Sequence, residues 1–180
     1  YQEYKYLGKT DMFKITEAAL FKYLHYLTTR RDSRGLVAIG LGDWCHVGFP
    51  EGKYKAPLVV TDSIISMDIA SKISFMLNAI GLDEESNYAK DQYNQYRKAI
   101  RNKLINFNTM SVLGDCQTSQ AMGLFYNIFE SNEKIQEATK RIELTEMELQ
   151  MLKLNVAREF YPLVATIEEM KAMNSVIKKA

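Results

Sequence analysis

Apolar side chains recur every three or four positions over most of the chain, a spacing that predicts amphipathic α-helices. The first predicted helix begins with Asp11 as an N-cap candidate and ends in the polar run 28–33. The pattern predicts further helices over residues 61–80, 83–104, 117–129 and 132–142. Thr61 or Asp62 could cap the second helix, and Gly81 is its stop signal. The predicted fold class is therefore all-α.

Two parts of the chain interrupt this pattern. The polar residues 106–115 are predicted to form a loop, and a much longer irregular segment runs from about Arg30 to Val60. The longer segment holds five of the nine glycines and the single tryptophan, and residues 37–41 within it could form a short strand. Irregular segments of that length are uncommon in compact domains and are often functional, although a surface excursion without function is the alternative.

The last part of the chain, residues 145–180, has a different texture. It contains no glycine, and a methionine-rich apolar stripe continues on both sides of Pro162. Proline breaks or kinks a helix, so this part could be a helical hairpin or one kinked helix. A methionine-rich stripe is typical of core packing or of an interface.

Composition excludes several classes of protein. The formal net charge is +1, which leaves no basic excess for a phosphate backbone, so we expect no nucleic-acid partner. No apolar run approaches the length of a membrane span and no signal peptide opens the sequence, so we expect no membrane partner either. Two cysteines do not make a disulfide scaffold, and they leave the compartment open.

Familiar catalytic motifs are missing or incomplete. Gly40 and Gly42 suggest a dinucleotide loop, but Cys45 stands where the third glycine belongs and no βαβ pattern surrounds it. His25 and His46 are far apart, and no paired ligands for zinc accompany them. We therefore expect no cofactor and no metal, and His25 is interpreted as a packed or surface histidine.

Asp43 and Trp44, within the glycine-rich segment, suit a sugar. A carboxylate accepts hydrogen bonds from vicinal hydroxyls, and an indole face stacks on the apolar face of a sugar ring. Neighbouring glycines let the backbone approach a ligand closely. The alternative is structural, with Asp43 capping a turn and Trp44 anchoring the segment to the core.

The order of motifs resembles that of the bacterial α-L-rhamnosidases of glycoside hydrolase family 78. The motifs are the opening residues 1–11, the Gly-Leu-Gly-Asp-Trp of 40–44, the Ala-Ile-Gly-Leu of 79–82, the helix 88–107 and the Gln-Thr-Ser-Gln-Ala of 117–121. The resemblance covers about residues 1–142, and its strength lies in the order and spacing of the five motifs. It leaves residues 143–180 as a helical tail of uncertain origin.

The resemblance implies an (α/α)6 barrel, of which this chain holds only a part, and a rhamnose site formed by loops at one end. Inverting hydrolysis of terminal α-L-rhamnose uses a carboxylic acid and a carboxylate on opposite sides of the sugar. In the family these lie in motifs upstream and downstream of the matched region, and neither motif occurs in this sequence. The chain by itself is therefore expected to be inactive, with no catalytic residue of its own.

The resemblance also assigns candidate substrate-binding residues. Trp44 corresponds to the aromatic wall of the rhamnose pocket and Asp43 to its polar neighbour, and His46 lies in the same segment. Gln117 and Thr118 match a helix start at the barrel mouth and receive a supporting role. The implied partners are a rhamnose-containing glycan or glycoside and the rest of the catalytic domain, in the bacterial cytoplasm or periplasm. The alternative function is a non-catalytic helical interaction or scaffold module that pairs through residues 145–180.

Overall fold

The computed structural model describes residues 1–40, 54–130, 135–140 and 142, and it confirms the all-α class. The elements in chain order are α1 (Gln2–Leu7), α2 (Asp11–Thr29), α3 (Leu58–Ala79), α4 (Asp83–Leu104), β1 (Ile105–Asn106), β2 (Ser111–Val112) and α5 (Gln117–Phe125). Residues 135–140 are also helical. The predicted boundary after residue 142 and the tail 143–180 fall outside the described residues.

Helix α3 is the central element, and it is apolar on more than one side. Its first half packs with α4, the two short strands and the segment after α5, and its second half packs with α2. The first cluster includes Val60, Ile64, Met67, Tyr96 and Ile100, and the second includes Leu24, Ala70, Ile73, Leu77 and Ala89. A helix that is buried on several sides in this way organises the elements around it.

The turn between α3 and α4 is the one that the sequence predicts. Gly81 has a φ of +79°, in the left-handed region that glycine adopts without steric cost. The N–H of Leu82 bonds the carbonyl of Leu77 at 3.0 Å, and the N–H of Gly81 bonds that of Asn78 at 3.1 Å. This arrangement satisfies carbonyls at the end of α3 and reverses the chain.

Two serines hold α3 and α4 together beside that turn. The Ser74 hydroxyl donates to the carbonyl of Ser86 at 2.9 Å, and the Ser86 hydroxyl donates to the carbonyl of Ser74 at 2.8 Å. Side chains this small let two helix backbones approach closely, and their reciprocal bonds fix one helix against the other.

The loop predicted over residues 106–115 contains a β-hairpin, so that prediction was wrong in part. Strand β1 pairs antiparallel with β2, with Ile105 opposite Val112. The side chain of Gln120 stabilises the hairpin, because its Oε1 accepts the N–H of Val112 at 3.0 Å and its Nε2 donates to the carbonyl of Met110 at 2.8 Å. The short polar sequence gave no alternating pattern by which a strand could be recognised.

Helix α5 begins at Gln117 as predicted but ends at Phe125, four residues before the predicted limit. Asn127 adopts a φ of +54°, and the N–H of Ile128 bonds the carbonyl of Gly123 at 2.9 Å. Asparagine tolerates the left-handed conformation and here replaces the usual glycine. Ile128 and Phe129 then pack in the core outside any helix, and the apolar spacing alone could not distinguish this from a longer helix.

The predicted N-caps of α2 and α3 were also wrong. Thr10 occupies the N-cap of α2 without a side-chain cap bond, and Asp11 lies in the first turn, where its charge favours the helix dipole. Helix α3 begins at Leu58, directly after Pro57, so Asp62 lies a full turn inside the helix. Helix α1, which ends at Leu7 and has Gly8 as its C-cap, was not predicted at all.

Helices α2, α3 and α4 run in alternating directions, and this brings several segments together at one end of the described fold, which we call the loop end. The end of α2, the start of α3, the end of α4, the β-hairpin and the start of α5 all lie there. Gly114, just before α5, packs against the ring of Pro57, just before α3, so closely that a Cβ at Gly114 would lie 2.3 Å from Cδ of Pro57. The two ends of the long irregular segment and the start of α5 are therefore neighbours.

The close approach of Gly114 to Pro57 gives a test of this packing. Gly114→Ala should destabilise the protein more than Gly81→Ala, since both glycines have positive φ but only a Cβ at Gly114 would overlap the Pro57 ring. The left-handed backbone costs either variant about 1 kcal/mol, and the overlap should add about 1–3 kcal/mol for Gly114→Ala. Urea unfolding measures both free energies, and equal losses would contradict the contact.

Candidate functional site

Three of the predicted site residues, Asp43, Trp44 and His46, belong to residues 41–53 and lie outside the described part of the chain. Gln117 and Thr118 are described, and they are the first two residues of α5. Gln117 is half-buried and Thr118 is exposed. The structure therefore describes the residues that precede and follow the glycine-rich segment and the start of α5, to which the supporting role was assigned. We call these parts together the frame.

The frame begins with a clamp on the residues that lead into the glycine-rich segment. The Ser63 hydroxyl accepts the N–H of Val37 at 2.9 Å and donates to the carbonyl of the same residue at 3.1 Å. In the residue just before Ser63, Oδ2 of Asp62 accepts the N–H groups of Ile39 at 2.7 Å and Gly40 at 2.9 Å. Residues 37–40 thus bond side chains of a helix, and they do not form the strand considered for residues 37–41.

Asp62 is a buried carboxylate with 5% of its surface exposed, and its environment suits a charge. It receives two backbone N–H bonds, and Thr61 Oγ1 lies 3.4 Å from its Oδ1. Bonds of this kind are stronger than neutral ones, so the clamp holds the backbone up to Gly40, whose φ is +91°.

The bonds that Asp62 and Ser63 make to residues 37–40 were not predicted from the sequence. Thr61, Asp62 and Ser63 precede an apolar helical stripe, which is the pattern of an N-cap. What could have separated the two interpretations is Pro57, because proline is favoured around the first position of a helix and so allows an earlier start. With the helix starting at Leu58, Thr61 bonds back to the carbonyl of Leu58, whereas Asp62 and Ser63 bond the backbone of residues 37–40.

The start of α5 completes the frame. Cys116 is at the N-cap position in extended conformation, is buried, and donates its thiol to Ser119 Oγ at 3.3 Å. Its burial leaves it unsuited to act as an exposed nucleophile. Gln117 and Thr118 follow at the loop end, beside the contact of Gly114 with Pro57. The structure thus brings both predicted residues of α5 to the same end as the two anchors of the glycine-rich segment.

Before the clamp, the chain leaves α2 through a turn that Asp32 organises. Its Oδ1 accepts the N–H groups of Arg34 at 2.8 Å and Leu36 at 3.1 Å, and its Oδ2 accepts Nε of Arg34 at 2.8 Å. Desolvation raises the pKa of the Asp32 carboxyl, but the hydrogen bonds from Arg34 and Leu36 outweigh it, and the pKa is below its usual value. The turn is therefore held by an ionised carboxylate at neutral pH.

Behind the turn, Arg31 stacks on Tyr96, with the guanidinium carbon 3.8 Å from the ring centroid. Tyr96 is fully buried, and burial raises the pKa of its phenol, while the neighbouring Arg31 charge lowers it in part. A stacked guanidinium retains its charge and planarity. The stack fixes the end of α2 against α4.

Neither a metal site nor a membrane span is found in the ranges that the structure describes. Within residues 1–40, 54–130, 135–140 and 142, no three His, Cys, Asp or Glu side chains gather as they would around a metal ion. No helix in these ranges has both the length and the apolar character needed to cross a membrane. His25 stacks on Tyr88 at 4.8 Å and its Nδ1 lies 3.2 Å from the Tyr88 hydroxyl, which confirms it as a packed surface histidine.

Comparison with known proteins gives a consistent family. The model of the bacterial alpha-L-rhamnosidase 6 hairpin glycosidase domain matches residues 1–156. Among solved structures, an α-L-rhamnosidase from Streptomyces avermitilis complexed with L-rhamnose is 23% identical, with a TM-score of 0.65 over 78% of this chain. An α-L-rhamnosidase from Aspergillus terreus is 17% identical, with a TM-score of 0.66 over 82% of this chain. No curated protein sequence matches.

The structural matches confirm the fold as helical hairpins of an (α/α)6 barrel. This chain spans only 13% of the length of the Streptomyces protein and 17% of that of the Aspergillus protein. A complete barrel has twelve helices in two rings, so the hairpins described in this chain are a part of one. The family match also extends beyond residue 142, the limit of the resemblance in the sequence.

The clamp can be tested by comparing two aspartates of α3. Asp62→Asn should lower the free energy of unfolding by about 1.5–3 kcal/mol, because a neutral amide oxygen accepts the N–H groups of Ile39 and Gly40 more weakly than a carboxylate does. Asp68→Asn, which removes a partly exposed ion pair with Lys72, should cost only about 0.5 kcal/mol. Urea unfolding measures both.

Hydrogen exchange gives an independent check on the same pair of variants. The amides of Ile39 and Gly40 should exchange faster in Asp62→Asn and remain unchanged in Asp68→Asn. If Asp62→Asn left those two amides as protected as before, the clamp would not be what holds this segment.

Proposed function

The chain belongs to the bacterial α-L-rhamnosidase six-hairpin glycosidase domain family, and on this premise we propose that it is part of a glycoside hydrolase that removes terminal α-L-rhamnose. Within that enzyme it contributes residues of the sugar pocket. The acid and the base come from other parts of the catalytic domain.

One observation supports the pocket role above all others. Asp62 and Ser63 fix residues 37–40, so the Gly-Leu-Gly-Asp-Trp run starts from a held point at the same end of the fold as the start of α5. A binding loop gains affinity when its ends are held, because less conformational entropy is lost when the ligand binds. Trp44 then offers a stacking surface, and Asp43 offers an acceptor for vicinal hydroxyls.

His46, Gln117 and Thr118 have smaller roles in this proposal. His46 adds a polar side chain from the same segment as Asp43. Thr118 is exposed at the loop end, and Gln117 lies beside it, so both can support the pocket wall through hydrogen bonds. Asp62 is not assigned as acid or base, because backbone N–H groups already occupy its carboxylate.

Inversion requires two carboxyl groups about 6.5–9.5 Å apart, on opposite faces of the sugar ring. The sequence holds neither of the family's two carboxylate motifs, so both groups are assigned to the remaining hairpins. Exposed apolar side chains agree with packing against such neighbours. Tyr6 is 83% exposed, Ile15 74% and Phe125 78%, on α1, α2 and α5.

The alternative, a helical interaction or scaffold module, depends on residues 145–180. These residues lie outside the described part of the chain, and no contact among the described residues favours that function over the glycosidase. We therefore propose the glycosidase function alone.

The single tryptophan makes the pocket role measurable. Titration of the chain with L-rhamnose should change the intrinsic fluorescence of Trp44 saturably, with a Kd on the order of millimolar, since one sugar makes few contacts. Asp43→Ala should abolish the change. Asp83→Ala should leave it intact, because Asp83 is the first residue of α4 and lies at the end of that helix opposite to the loop end. D-mannose serves as the control sugar.

A different outcome separates the pocket from a structural role. A blue-shifted emission that does not respond to L-rhamnose would mean that Trp44 is an anchor in the core. That result would remove the proposed binding role from both Asp43 and Trp44.

The assignment of acid and base to other hairpins has its own test. The chain should release no 4-nitrophenol from 4-nitrophenyl α-L-rhamnopyranoside above the buffer blank, because general acid and general base catalysis are both missing. The control is a mock purification from cells that do not express the chain. Measurable release by the chain, and none by the mock sample, would place a catalytic pair within the chain and overturn the assignment.

A further inference from the structure

A groove beside the turn between α3 and α4 lies at the end of these helices opposite to the loop end. Its volume is about 390 Å³, within the range of about 300–1,000 Å³ that is typical of small-molecule sites. We call it the turn groove. Polar side chains and two aromatic rings line it, among them Ser71, Phe75, Asn78, Asn87, Lys90 and Tyr93.

The least exposed polar residues of the turn groove are already bonded to each other. Ser74 is half-buried and Ser86 is buried, and each hydroxyl donates to the carbonyl of the other residue. The outer side chains differ from them. Asn78, Asn87 and Lys90 are exposed, and among the described residues their side chains form no hydrogen bond or ion pair. Two amides and one ammonium group are therefore available to a ligand.

The two aromatic rings are fixed beside these polar groups. Phe75 is 43% exposed, and it makes T-shaped contacts with Tyr1 and Tyr4 at centroid distances of 5.4 and 5.5 Å. Tyr93 is half-buried and packs against both hydrophobic clusters. A ring that is held by its neighbours while part of its surface stays exposed offers a stacking surface at low entropic cost.

The turn groove is too polar to be a surface that packs against another hairpin. Among the described residues, the three most exposed large apolar side chains are elsewhere, namely Tyr6 on α1, Ile15 on α2 and Phe125 on α5. An apolar helix that covered the groove would leave its amides and its ammonium group without partners, which is unfavourable. A ligand that carries hydroxyl groups would give them partners.

The charge of the turn groove favours a neutral ligand. Lys90 is the one cation among the residues that line it, and no carboxylate is among them. A single exposed ammonium group attracts an anion only weakly in water. Amide and hydroxyl groups, in contrast, both donate and accept hydrogen bonds, as the hydroxyl groups of a sugar do.

We propose that the turn groove binds a neutral sugar with equatorial hydroxyl groups, as a second carbohydrate site apart from the pocket at the loop end. Equatorial hydroxyls leave both faces of a sugar ring to C–H groups, so one face stacks on Phe75 while hydroxyls at the ring edge bond Asn78 and Asn87. Asn78 belongs to α3 and Asn87 to α4, so the sugar bridges the two helices beside their turn. This site holds a ligand without taking part in hydrolysis.

The test titrates the full chain with methyl β-cellobioside, in which both rings carry only equatorial hydroxyl groups, and follows the backbone amides by NMR. Amides around the turn groove should shift saturably, with a Kd on the order of millimolar. Asn78→Ala combined with Asn87→Ala should weaken binding about tenfold, because hydrogen bonds from both helices are lost. The control combines Asn94→Ala with Asn102→Ala, two exposed asparagines of α4 outside the groove, and should bind as the unaltered chain does. Alanine favours helix, so neither double variant should disturb folding.

Two further arms identify the ligand. Phe75→Leu keeps an apolar side chain beside Tyr1 and Tyr4 but has no flat ring, and it should weaken binding about threefold or more. Asparagine amides also pair with peptide backbone, so N-acetyl-trialanine amide is the competitor, and it should not displace the sugar.

Several results would each overturn the proposal. They are the absence of a saturable shift, shifts confined to the loop end, equal weakening in both double variants, unchanged binding by Phe75→Leu, and displacement by the peptide. The response of Trp44 to L-rhamnose is a separate signal from a separate pocket. The proposed function can therefore hold while this inference fails, and the reverse.

Discussion

A buried carboxylate must find donors inside the protein, and Asp62 finds them in the backbone of a distant part of the chain. Its position in the first turns of α3 leaves its own helix unable to satisfy it, whereas Ile39 and Gly40 supply two N–H groups. The same bonds give partners to backbone donors of a segment that belongs to no sheet. The start of α3 and the approach to the glycine-rich segment therefore depend on each other.

The rest of the loop end is built against that point. Pro57 is the N-cap of α3, and Gly114 packs against its ring. This contact holds the residues just before α5. Helix α4 braces the segment after α5 through Arg97, which donates to the carbonyl of Asn127 at 2.6 Å, and through Arg101, which bonds the carbonyl of Ile128. These arginines bond carbonyls that the early end of α5 leaves without helical partners.

The sequence predicted best those features that depend on local chemistry. The turn at Gly81, the length of α4 and the start of α5 each follow from one residue type in one conformation, and the structure has them as predicted. The caps of α2 and α3 were wrong because a side-chain oxygen before an apolar stripe has the same pattern whether it bonds its own helix or another segment. The β-hairpin was missed because the Gln120 side chain that supports it comes from the next helix.

For the candidate site, the sequence supplied residue types and the structure supplied location. Gln117 and Thr118 lie at the loop end with the anchors of the glycine-rich segment, while the roles of Asp43, Trp44 and His46 stay predictions. The clamp of Asp62 and Ser63 could not be derived from one sequence, because its partners are more than twenty positions away and bond through backbone atoms alone. Backbone partners have no residue signature.

The amide of Gln120 joins three parts of the chain at one point. Besides Val112 and Met110 of the hairpin, it reaches the carbonyl of Ala138 at 3.2 Å, in the helical residues 135–140. A single buried group shared in this way makes local openings cooperative, because none of the three segments can detach without leaving the amide unpaired. We therefore expect the hairpin, α5 and residues 135–140 to open together, because each of them shares the same buried amide.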